Sequence, residues 1–71
     1  MGVSTLAFSP DGEIIFAGFW DKSLRVFSSS DGKLLKQFDL PFVVRKISVA
    51  PDSSLLALSL DDGTVRLWGL K

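Results

Sequence analysis

Serine and aspartate are the residues of this chain with chemistry to offer, and their surroundings decide what that chemistry is. A serine nucleophile needs a base to take its proton, yet the 71 residues contain no histidine and no cysteine. Acyl transfer through a Ser-His or Cys-His pair is therefore closed. The densest serine cluster, Ser28-Ser29-Ser30, lies in turn-forming sequence. Ser30-Asp31-Gly32-Lys33 has the glycine and lysine of a phosphate loop, but Phe27 stands where the upstream glycine belongs. Leu34 stands where Ser or Thr would meet the metal, so the segment reads as a hairpin turn. Asp61-Asp62-Gly63 lacks the spaced oxygen ligands of a calcium loop. It reads as a turn in which an aspartate accepts from nearby backbone N–H groups. Without cysteine or histidine the common zinc and haem ligand sets are missing as well. The expectation is a protein that is no enzyme, with no catalytic residue, no cofactor and no metal.

Charge and hydropathy narrow the remaining classes. Eight basic residues balance eight acidic ones and are dispersed, so there is no basic stripe to neutralise a phosphate backbone and nucleic acid is not an expected partner. Apolar runs fall far short of the roughly 20 residues that cross a bilayer, and no membrane partner is expected. The N-terminus has no basic segment followed by an apolar one. A myristoylation reading of Met1-Gly2 needs Ser or Thr at position 6, which is Leu6. A soluble, intracellular protein is the expectation. Apolar residues make up 46% of the chain, which argues for folding. A domain this small rarely buries enough surface alone, and with disulfides and metals gone, association with more protein is the remaining support.

The elements that carry these residues come twice. Phe8-Ser9-Pro10-Asp11 is answered by Val49-Ala50-Pro51-Asp52 at an offset of 41 residues, and the match runs on without a gap. Val3 pairs with Val44, Leu6 with Ile47, Ile15 with Leu56, Asp21 with Asp62, Ser23 with Thr64, Arg25 with Arg66 and Phe27 with Trp68. Within each copy the apolar pattern has period two, the spacing of strands. Strands are predicted at about 3–9, 13–19, 23–28, 33–38, 43–49, 54–60 and 64–69. The near-continuous apolar runs at 13–19 and 54–60 predict strands covered on both faces. Pro10 and Pro51 hold the second position of the turns after the first strand of each copy, where a fixed φ suits a type I turn.

A period of 41, the Pro-Asp-Gly turn at Pro10-Asp11-Gly12 and Asp62-Gly63-Thr64-Val65-Arg66-Leu67-Trp68 together resemble the WD40 repeat, whose period is about 40 to 45 residues. The resemblance implies an all-β fold: two consecutive four-stranded antiparallel blades of a β-propeller, the second incomplete. Residues 1–41 would be the first repeat and 42–71 the second, lacking its outer strand. Pro10, Asp11, Asp21, Phe27, Pro51, Asp52, Asp62 and Trp68 fall on the family's turn and repeat positions. The family's Gly-His pair falls on Asp39 and Leu40, so its Asp-His-Ser-Trp tetrad is incomplete here. Asp21 and Asp62 match its aspartate, Trp68 matches its tryptophan, Phe27 replaces that tryptophan, and Ala17, Phe19, Leu58 and Leu60 occupy the serine region. Apolar packing must then carry more of the stability.

Propellers have about four to eight blades, each burying its faces against its neighbours. Two blades leave both outer faces open, so further blades, other protein chains or further copies of this chain are the implied partners. By the same resemblance, partners dock on the end formed by the second-to-third strand loops and the loops entering each inner strand. That end would carry the candidate binding residues Phe19, Trp20, Lys22, Phe42, Arg45 and Lys46, with Asp21, Leu60 and Asp61 beside them. Trp20 is the sharpest, as an aromatic anchor or as a cover for the neighbouring blade. Arg25 and Arg66 recur at one strand position and read as long side chains lying over an apolar face. The leading functional reading is a protein-interaction scaffold presenting loops to a protein or peptide. The alternative is a structural segment, natural or engineered, whose only activity is assembly into a complete propeller.

Overall fold

Short runs of leucine, β-branched and aromatic residues, punctuated by proline, glycine and aspartate, favour extended backbone broken by tight turns. The computed structural model describes residues 2–69. It contains β1 (Val3–Phe8), β2 (Ile14–Phe19), β3 (Ser23–Ser28), β4 (Leu34–Asp39), β5 (Val44–Val49), β6 (Leu55–Leu60) and β7 (Val65–Gly69). Each lies within one residue of its expected limits. Met1, on which the acylation reading falls, lies outside the described residues, as do the last two positions of the expected second repeat. No helix among the described residues is long and apolar enough to cross a membrane.

The strands form two antiparallel meanders, a four-stranded sheet in the order β1-β2-β3-β4 and a three-stranded sheet in the order β5-β6-β7. The repeat extends to an irregularity. Register shifts between Val3 and Thr5 in the first sheet, and between Val44 and Lys46 in the second. Ser4 and Arg45 are therefore the extra residues of equivalent bulges, features that re-aim a side chain. The turns repeat too, since the Gly12 N–H donates to Ser9 O and the Ser53 N–H to Ala50 O, both at 2.9 Å. Gly12 and Ser53 both take positive φ, 75° and 61°, a conformation glycine adopts freely and serine does not.

The core lies between the sheets. Phe16 and Leu24 of the first sheet meet Val44, Ile47, Leu56, Leu58 and Leu60 of the second, with Leu40 of the connecting segment. Gly18 sets the spacing at the inner strands, because a Cβ there would lie 3.0 Å from the Val44 Cβ. Further out, the Phe38 and Trp68 rings meet edge to face, with centroids 4.8 Å apart. The expectation that 54–60 is covered on both faces needs correction. Leu56, Leu58 and Leu60 are buried, but Leu55 is exposed and Ala57 and Ser59 are half-buried. The reason is architectural, since the described residues hold two sheets and β6 has a neighbouring sheet on one side. β2 likewise has a neighbouring sheet on one side, yet Phe16, Ala17 and Gly18 are all buried, small Ala17 lying between Leu6 and Arg25 of the flanking strands.

Candidate functional site

One end of the two sheets gathers the β2–β3 turn, the β4–β5 segment, the start of β5 and the β6–β7 turn. Local chemistry fixes each piece. In the β2–β3 turn the Asp21 carboxylate accepts the Ser23 N–H at 3.0 Å and the Ser23 hydroxyl. Asp62 does the same for the Thr64 N–H and hydroxyl, at 3.0 and 2.6 Å. The Leu40 N–H donates to Lys22 O, the Trp20 N–H to Gly2 O and the Asp61 N–H to Val43 O, which tie the connecting segments to these turns. The bulge at Ser4 aims its hydroxyl across the sheet boundary, where it donates to Val44 O at 2.9 Å.

Between the two sheets at this end lies a shallow cavity of about 340 Å3, lined by Ser4, Trp20, Val43, Val44, Arg45 and Asp61. The Trp20 side chain stands at its rim with the residue 60% exposed. Arg45 Nε lies 3.8 Å from Asp61 Oδ1, and both side chains are open to solvent. An exposed pair of this length contributes little to stability and leaves both charges available. A second groove of about 440 Å3 runs between the sheets near Phe38 and Trp68, with Ile14, Phe16, Leu24, Val26 and Leu56 in its walls.

The candidate binding residues divide among four places. Trp20 and Arg45 share the cavity. Lys22 and Phe42 are exposed in neighbouring segments of the same end without lining it. Phe19 is half-buried beneath the Arg25 guanidinium, whose carbon sits 4.4 Å from the ring centroid. Lys46 is exposed on β5, opposite Ser59 in the register. Arg25 also reaches Asp21 at 3.1 Å, so Asp21, Ser23, Arg25 and Phe19 form one local cluster. Its Nε is buried without a hydrogen-bond partner among the described residues.

The turn and repeat positions are structural in placement. Asp11 accepts the Glu13 N–H and the Ser9 hydroxyl beside Pro10, and Asp52 accepts the Ser54 N–H and hydroxyl beside Pro51. Phe27 and Trp68 are half-buried. Hydroxyl bonds from Ser9, Ser23, Ser54 and Thr64 are the foremost reason that Asp11, Asp21, Asp52 and Asp62 are held below the usual carboxylate range. Ser4 and Val43 escaped sequence reasoning. The signal for Ser4 was its position 41 residues before Arg45, which marks both as bulge residues.

Two stacked antiparallel meanders built on one repeat, with inner strands apposed and outer faces open, define a segment of a β-propeller. The model of the WD domain, G-beta repeat, matches residues 1–28 and 32–69, and the chain belongs to this WD40 family. It is 33% identical over 69 residues to the periodic tryptophan protein 2 homolog of Neurospora crassa, covering 96% of this chain and 8% of that protein. It is 37% identical over 71 residues to small ribosomal subunit protein RACK1y of Oryza sativa subsp. japonica, covering 96% of this chain and 21% of that protein. The chain thus spans a small part of the length of these relatives. Among solved structures, that of U3-55K superposes with a TM-score of 0.91 at 20% identity, over 97% of this chain and 23% of the other, a likeness of fold.

Proposed function

We propose that this chain is a non-enzymatic WD40 scaffold segment that binds a protein or peptide at the end bearing Trp20. The carrying observation is the exposed Trp20 indole at the rim of the intersheet cavity, beside the loosely paired Arg45 and Asp61. An aromatic anchor with separable charges of both signs at its flank suits a short peptide that inserts an apolar side chain and pairs a charge. Phe42, Lys22 and Lys46 form the wider surround, and Phe19 acts from beneath by fixing Arg25. Residues 1–41 and 42–71 are taken as the two repeats. Relatives named for a ribosomal subunit and for eukaryotic translation initiation factor 3 subunit I support a role within multiprotein assemblies.

The test is selection of a displayed peptide library on the purified chain, followed by affinity measurement for the selected peptides. Trp20→Ala and Arg45→Glu are expected to weaken binding about tenfold or more each, with the strand signature in circular dichroism unchanged. Peptides that bind both variants as well as the parent chain would sink the proposed site.

A further inference from the structure

The two open faces are the two halves of the interface already present inside the chain. The β5 residues that pack toward the first sheet have their equivalents, 41 positions earlier, exposed on the first sheet, while for β6 the equivalents Ile15 and Phe19 are half-buried and Ala17 is buried. Val44 is fully buried and its equivalent Val3 is 48% exposed, while Ile47 is buried and Leu6 is exposed. The converse holds on the other side. Leu24 is fully buried at the internal boundary and its equivalent Val65 is 64% exposed, with Leu67 likewise open where Val26 is half-buried. The bulge repeats as well, since Ser4 donates to Val44 O across the internal boundary and Arg45, with N–H groups to donate, holds the equivalent bulge position in the second sheet.

From this equivalence we infer that a second copy of this chain docks head to tail, its first sheet stacking on the open face of the second sheet. The internal boundary is heterologous, face against opposite face, and repetition of a heterologous contact either closes a ring or runs on. Propellers of roughly four to eight blades correspond to closed rings of two to four copies. Docking places Trp20 of the second copy beside Arg45 and Asp61 of the first, as Asp61 stands beside Ser4 and Trp20 at the cavity within one chain. One position resists. Gly18 admits Val44 at the internal boundary, but its equivalent on the open face is Ser59, whose Cβ occupies that space. The junction between copies is therefore looser than the internal one, and its association is concentration-dependent. The junction shares Trp20, Arg45 and Asp61 with the proposed peptide site, but its test reads mass through Leu6 and Leu67, which lie outside that cavity.

Light scattering of the full chain across a concentration series tests this. The expected mass rises above 7.7 kDa in whole multiples, and Ser59→Gly lowers the dissociation constant about tenfold by removing the crowding. Leu6→Asp and Leu67→Asp each spoil a different half of the junction, so each alone is expected to stay monomeric. Mixed in equal amounts, they are expected to form a heterodimer that grows no further, a result that also proves both folded. Phe8→Lys with Val65→Lys serves as a second pair should either aspartate variant fail to fold. A parent chain that stays monomeric throughout overturns the inference. So does association lost in one single variant but kept in the other without rescue on mixing, which would mean like faces meet.

Discussion

Five aspartates, Asp11, Asp21, Asp31, Asp52 and Asp62, each accept the backbone N–H two residues on. All five hold turns, which is what their carboxylates are engaged in at the scale of the residue. What each contributes depends on the donor it satisfies. Ser23 is 1% exposed, so Asp21→Ala leaves its N–H and hydroxyl without a partner out of reach of water. Lys33 is exposed, so water replaces the carboxylate in Asp31→Ala. Urea unfolding is expected to show a clearly lower midpoint for Asp21→Ala and almost none for Asp31→Ala; equal midpoints would contradict the role given to burial. The same bonds set the response to acid. Asp11, Asp21, Asp52 and Asp62 ionise more readily folded than unfolded, chiefly through their hydroxyl partners. Their contribution is complete above the unfolded value of about 3.9 and is lost as pH falls through the lower folded values. The urea midpoint is expected to fall on acidification below that value, more steeply in the parent chain than in the Ser54→Ala, Thr64→Ala double variant. A steeper fall in the double variant would reverse the sign and refute the assignment.

At the scale of elements, the decisive contact is β2 against β5 at Gly18. A valine side chain there would meet the Val44 Cβ and the Ser4 and Thr5 side chains, and fully buried Val44 has no space to yield. Gly18→Val is expected to destabilise the chain by about 1–3 kcal/mol, read from denaturant midpoints, while Ser59→Val on the open side is expected to change them little. Equal losses would show that Gly18 does not set the spacing. The strands themselves were legible because two signals agreed, period-two hydropathy between proline or glycine turns, and a second copy with the same pattern. What lay beyond reach were properties of the boundary between sheets. A bulge leaves no mark in hydropathy, so the bond from the Ser4 hydroxyl to Val44 O is not legible in the sequence. An apolar run such as 54–60 has the same composition whether one face is covered or two. The candidate site was legible as a set of loops but not as a geometry. Trp20 and Arg45 meet at one cavity, whereas Phe19 is drawn under Arg25 by its ring face, a contact that spacing alone does not reveal.

At the scale of the whole molecule, one repeat occurs twice and buries one face of each copy. Val3, Leu6 and Phe8 on one side and Leu55, Val65 and Leu67 on the other stay exposed, more apolar surface than a small isolated domain keeps without a use for it. The relatives carry far longer chains around the matching stretch, consistent with repeats that need neighbours. Assembly and binding both depend on the two sheets stacking on each other. Nuclear Overhauser contacts in labelled chain diluted into unlabelled chain report that stacking within a single molecule. Gly18 Hα to the Val44 methyls and the Phe38 ring to the Trp68 indole are the expected cross-peaks. Strand pairing inside each sheet with both of these cross-peaks missing would contradict the stacked arrangement.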